Sequence, residues 1–179
     1  MAANGAPLIW LAVVSRWVIA VAFATAAFGK IRGFAAFSEG LESAFGLERR
    51  AARGIGTGVL VAELGVVTLL AVGGGWTTAG LMGALVLLCL FAAVISYNLR
   101  RETPLVCNCF GNTNRPVTHY DFVRNVVFLA IGIFGLVVRG PSDVGLWDHF
   151  MCGSLALSVF LVTVDFYAVV QLFSVDLEA

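Results

Sequence analysis

The chain has 179 residues, of which 60% are hydrophobic and only 12% charged, with a mean hydropathy of +0.94. Soluble domains carry about 45–50% apolar and about 25% charged residues, so this composition excludes an ordinary soluble globular domain and points to the lipid bilayer as solvent. Eleven basic and eleven acidic residues balance to zero, which leaves no electrostatic case for a nucleic-acid partner.

A spanning helix needs roughly 20 mostly apolar residues, because the hydrocarbon core is about 30 Å thick and each helical residue rises about 1.5 Å. Five stretches qualify in chain order: residues 8–29, 54–72, 76–97, 122–138 and 150–173. They predict a single membrane domain over residues 1–179, an all-α bundle of about five transmembrane helices. Ala24-Thr25-Ala26 has the small-residue look of a cleavage site, but no Lys or Arg precedes the first apolar stretch. The first stretch is therefore expected to be a retained anchor and not a cleaved signal. Gly73-Gly74-Gly75 predicts a tight hairpin between the second and third spans.

Between the first two spans lies a polar segment, Lys30 to Arg53. Phe34, Phe37, Leu41 and Phe45 recur in it at helical spacing, with Ser38, Glu39, Glu42 and Ser43 between them. This predicts a short amphipathic helix over 34–45, lying in the membrane interface or packed over the mouth of the bundle. The second polar segment, residues 98–120, ends in Thr118-His119-Tyr120-Asp121 followed by apolar residues. That is close to a capping box, so the fourth spanning helix is expected to start at Thr118 or His119.

Four cysteines are present. Cys89 and Cys152 fall in or near apolar spans and read as small buried residues. Cys107 and Cys109 differ, because they form Cys-Asn-Cys in the polar 98–120 loop. Two thiols this close pair only through a small strained ring, and strained or exposed disulfides exchange readily. The pair therefore suits passing oxidising equivalents better than stapling a fold, which gains most from closing a long loop. Two thiolates and His119 also admit a metal-carrier reading, although a structural zinc normally takes four ligands. The N-terminus of the fourth helix, His119 and Arg115 are each placed to favour a thiolate.

Three charges fall at membrane depth: Arg16, Glu63 and Asp165. A charge at mid-bilayer costs at least about 2.5–3.5 kcal/mol on insertion scales, so such groups face the bundle interior and pair. Arg16 and Glu63 come out at similar depth and are expected to pair with each other, either to fix packing or to serve a proton or cofactor site. Lys30 and Arg124, at helix ends, are expected to snorkel to the headgroups. Asn125 is expected to make a helix–helix hydrogen bond.

Cys107-Asn-Cys109-Phe110-Gly111, followed by Arg124-Asn125 opening an apolar helix, resembles the MauE family of methylamine utilisation membrane proteins, within the wider DoxX-like group. Arg16, Gly29-Lys30 and Glu63 agree with that resemblance. It implies a vitamin K epoxide reductase-like four-helix core plus one helix. It also implies thiol–disulfide exchange at Cys107 and Cys109, with a thioredoxin-like partner and its protein substrates, in support of disulfide maturation outside the cytoplasm. Arg124 and Asn125 would then support the site. The chain departs from the epoxide-reductase pattern in having CxC instead of CxxC, and no cysteine in the Lys30–Arg53 loop, which puts quinone use in doubt. Two other function classes fit the residues: a non-catalytic membrane anchor of an oxidoreductase complex, and a metal or small-molecule carrier using Cys107, Cys109 and His119.

Sidedness carries a conflict. Lys30, Arg32, Arg49, Arg50 and Arg53 share one face with Arg100, Arg101 and Arg115. The positive-inside rule assigns that face to the cytoplasm, whereas disulfide chemistry assigns the CxC loop to an oxidising compartment. The expectation adopted is a multi-pass protein of the cell membrane with the CxC loop on the extracytoplasmic face.

Overall fold

The computed structural model describes residues 6–101, 119–138, 147 and 151–161, and the elements among them are helices joined by short turns. The elements in chain order are α1 (Ala6–Arg32), α2 (Phe34–Phe45), α3 (Arg49–Val72), α4 (Trp76–Arg101) and α5 (His119–Val138). A further apolar helix, α6, covers Met151–Leu161. Four of these helices, α1, α3, α4 and α5, are long and apolar enough to cross a membrane. The protein is thus an all-α, multi-pass membrane bundle.

α1 is the central element. Ile19, Phe23 and Ala27 form a buried stripe at helical spacing, and the core gathers Val66 and Leu70 of α3, Leu81, Ala84 and Leu88 of α4, Phe128 of α5, and Ala156 and Phe160 of α6 around it. α1 packs on α3 and α5, α3 on α4, and α4 on α5. Side chains such as Val61, Val86 and Val137 stay exposed on the outer surface, as lipid-facing positions require. Without a strong hydrophobic drive between helices in lipid, close approach depends on small residues. A Cβ on Gly80 of α4 would sit 2.8 Å from Leu70 Cδ2, and one on Gly135 of α5 would meet the Ser15 hydroxyl.

The hairpin expected at Gly73-Gly74-Gly75 is present. Gly73 (φ 74, ψ −151) and Gly74 (φ 57) both take positive φ. Trp76 N–H then donates to Gly73 O at 3.2 Å, starting α4 antiparallel to α3.

The expected spans differ from the helices at their ends. α1 runs on through Lys30 to Arg32, and α3 starts at Arg49, five residues before the first apolar residue chosen from the sequence. Arg49, Arg50 and Arg53 are exposed in the first turns of α3, so charge does not stop the helix there. Of the stretch 150–173, residues 151–161 are described as helix; Asp165 lies outside the described residues, as does the loop with Cys107, Cys109 and Arg115.

α2 matches the expected amphipathic segment. It packs across α3, where Gly56 gives room: a Cβ there would lie 3.4 Å from Phe37 and 3.5 Å from Phe34. At its far end Phe45 stacks on Tyr97 of α4, with ring centroids 6.3 Å apart. α2 is therefore packed over one end of the bundle, against α3 and α4.

Candidate functional site

α1 and α3 run antiparallel, and helical side chains lean toward their own N-terminus. Lys30, near the end of α1, therefore leans back into the bundle, while Glu63 of α3 leans up to meet it. Lys30 Nζ donates to Glu63 Oε1 at 2.6 Å, and both side chains are 0% exposed. Two aromatic rings flank the ammonium: Phe37 from α2, at 5.4 Å from Nζ to centroid, and Phe91 from α4, at 5.3 Å. Four elements thus converge on one buried ion pair. Cation–π contacts of this kind contribute about 2 kcal/mol when desolvated.

The second carboxylate oxygen, Glu63 Oε2, is buried and has no hydrogen-bond partner among the described residues. Leaving a buried acceptor unsatisfied costs about 1–3 kcal/mol, and more for a charged group. The site is accordingly built around an unfilled acceptor position.

The expected Arg16–Glu63 pair is corrected by this geometry. Arg16 is buried, but its Nε donates to Leu70 O at 2.7 Å and its Nη2 to Ala71 O at 3.3 Å. These are carbonyls of the last turn of α3, which no further helical N–H can reach, and a cation there also opposes the negative end of the helix dipole. The guanidinium further lies 5.5 Å from the Trp17 ring. Arg16 is a cap for α3, and Glu63 belongs to Lys30. The expectation that Lys30 snorkels is corrected with it.

Arg124 does not snorkel either. It is buried, and its Nη2 lies 3.3 Å from Asp121 Oδ1 one turn earlier in α5. Asn125 makes the helix–helix bond expected of it, Nδ2 donating to Leu88 O of α4 at 2.8 Å. Replacing Asn125 by Leu should lower stability by about 1 kcal/mol, read as a lower unfolding midpoint in detergent. His119 is exposed at the start of α5. Cys152 is buried, whereas Cys89 is exposed on the outer surface of α4, against the buried reading.

Sequence reasoning missed the Lys30–Glu63 pair, yet a signal was present. Arg16, Ile19, Phe23, Ala27 and Lys30 repeat every three or four residues, so Lys30 continues the buried face of α1. Gly56, Glu63, Val66 and Leu70, at steps of seven, three and four, mark one buried face of α3 in the same way.

The family model described as methylamine utilisation protein MauE matches residues 8–138. That interval includes the Lys30–Glu63 pair, the Arg16 cap and the CxC loop. Neither the curated proteins nor the solved structures give a match.

Proposed function

The chain belongs to the MauE family, and on that premise we propose that it is a membrane thiol–disulfide oxidoreductase whose reacting groups are Cys107 and Cys109. The observation that carries this reading is the Cys107-Asn-Cys109 sequence on the connection between α4, which ends at Arg101, and α5, which begins at His119. A short-ring disulfide at that point is poised to exchange and contributes little as a staple.

The chemistry balances without an added oxidant. A thiolate of a thioredoxin-like partner attacks one sulfur of the Cys107–Cys109 disulfide. That S–S bond breaks, a mixed disulfide forms, and the other cysteine leaves as a thiolate. The partner's second thiolate then attacks the mixed disulfide, leaving the partner oxidised and the CxC pair as a dithiol, with two electrons transferred. A second, oxidised dithiol protein returns the pair to the disulfide by the same two steps in reverse: a CxC thiolate attacks its disulfide, and the other CxC thiolate resolves the mixed disulfide, leaving that protein as the dithiol. Arg115, and His119 at the positive end of α5, favour the thiolate form. Arg124 pairs with Asp121 within the first turns of α5, and Asn125 ties those turns to α4 through Leu88 O. The CxC loop is assigned to the extracytoplasmic face of the cell membrane, where disulfides persist.

The test is exchange between the oxidised, purified protein and a reduced thioredoxin-like protein, followed by acid trapping and mass measurement. Cys107→Ser and Cys109→Ser should each abolish two-electron exchange, and, incubated instead with the oxidised partner, the variant that keeps the attacking thiolate should open the partner's disulfide and accumulate the mixed disulfide. Both should keep wild-type helicity, because the core is built from α1, α3, α4, α5 and α6. Exchange at the wild-type rate in both variants would end this reading.

A further inference from the structure

The thiol exchange proposed above uses neither Lys30 nor Glu63, and the surroundings of this pair have a ligand logic of their own. One oxygen of Glu63 is held by Lys30, the other is a buried acceptor with no donor among the described residues, and the rings of Phe37 and Phe91 flank the ammonium. We propose that this is a binding site for a neutral, lipophilic hydroxyl compound, an aromatic alcohol in kind, whose O–H donates to Glu63 Oε2 while its ring lies among Phe37 and Phe91.

The chemistry narrows the class. An anion finds no uncompensated positive charge, because the Lys30 ammonium is already paired with Glu63. A metal cation is opposed by the ammonium 2.6 Å from Oε1, and the described residues hold no group of three His, Cys, Asp or Glu side chains that could bind one. A donor on an apolar body matches both the orphaned acceptor and the aromatic faces. The bilayer is the natural source of such a molecule.

Access runs past α2. Phe37 and Phe91 are half-buried while the ion pair is fully covered, so the rings form the boundary of the site. Phe37 sits on a helix bounded by Gly33 and by Gly46 at φ 62, which packs mainly on α3 and makes only a small contact with α1.

The experiment uses the full chain in lipid nanodiscs, titrated calorimetrically with 2-naphthol and with 2-methoxynaphthalene, which has the same rings but no donor. Wild type should bind 2-naphthol saturably and about tenfold more tightly than the ether, the equivalent of one net hydrogen bond. Glu63→Gln must keep its amide oxygen toward Lys30, so its N–H₂ group takes the Oε2 position and the preference should vanish. Phe37→Leu leaves the ion pair intact and should weaken 2-naphthol several-fold while keeping the preference. Equal binding of the two compounds by wild type overturns the proposal, as does a preference that survives in Glu63→Gln. If Glu63→Gln does not fold, unchanged 2-naphthol binding in Phe37→Leu overturns it. The readout needs no cysteine, so its outcome is independent of disulfide exchange.

Discussion

Replacing Lys30 by Met should destabilise the bundle by about 3–5 kcal/mol, because it strands Glu63 as an uncompensated buried charge. Among the described residues, the carboxylate would lose its hydrogen-bond partner at Oε1, while Oε2 is already without one. Neither oxygen reaches water at 0% exposure. The double variant Lys30→Met with Glu63→Leu should recover most of that loss, since a well-packed apolar pair avoids the desolvation of two charges. Unfolding midpoints of the two variants and wild type in one detergent check this. A double variant no more stable than Lys30→Met would show that the pair matters for packing and not for charge compensation. Recovery of stability in the double variant would also show that evolution did not need this pair for folding, which strengthens the case for a ligand at Glu63.

The second large effect is expected at Gly73. Its φ of 74 and ψ of −151 fall in a region essentially reserved for glycine, and forcing another residue there costs about 1–3 kcal/mol. A Cβ would also lie 2.6 Å from Arg16 Nη2, so the guanidinium would have to leave the α3 carbonyls. Losing hydrogen bonds from a charged group adds about 1.5–3 kcal/mol. Gly73→Ala should therefore unfold at a markedly lower temperature. Gly74→Ala is the control: its φ of 57 is also positive, but a Cβ there meets no atom within 4 Å. It should lose only the left-handed backbone cost, about 1–2 kcal/mol. Equal losses in the two variants would contradict the capping role of Arg16.

These two sites show what the sequence conveyed and what it withheld. Apolar length announced the spanning helices, the spacing of Phe34, Phe37, Leu41 and Phe45 announced α2, and three consecutive glycines announced the hairpin, because each is a local property of the chain. The partner of Glu63 was not local. Depth estimated from apolar stretches ended the first span at residue 29, leaving Lys30 outside it, while α1 continues to Arg32. Arg16 then looked like the one basic group at the right level. Its true partners are backbone carbonyls of Leu70 and Ala71, which no count of charges reveals. Arg124 misled for the same reason, since a helix-end position does not tell whether the side chain turns outward or toward Asp121. The family was legible in Cys107-Asn-Cys109-Phe110-Gly111 and is matched over residues 8–138.

Sidedness joins the fold to the chemistry. Exposed Arg32, Arg49, Arg50, Arg53 and Arg100 lie, by the alternation of α1, α3, α4 and α5, at the end of the bundle where α4 ends at Arg101 and α5 begins at His119, the two helix ends that the CxC sequence joins. The positive-inside rule and the redox assignment therefore compete at one face.

Mass-spectrometric thiol trapping in intact cells decides between them and tests the oxidoreductase reading most directly. Cells are treated with a membrane-impermeant alkylating reagent, with and without prior reduction. Cys107 and Cys109 should be labelled only after reduction, as an outward-facing disulfide requires. Labelling that is withheld until the cells are lysed would place the pair in the cytoplasm and contradict a role in extracytoplasmic disulfide exchange.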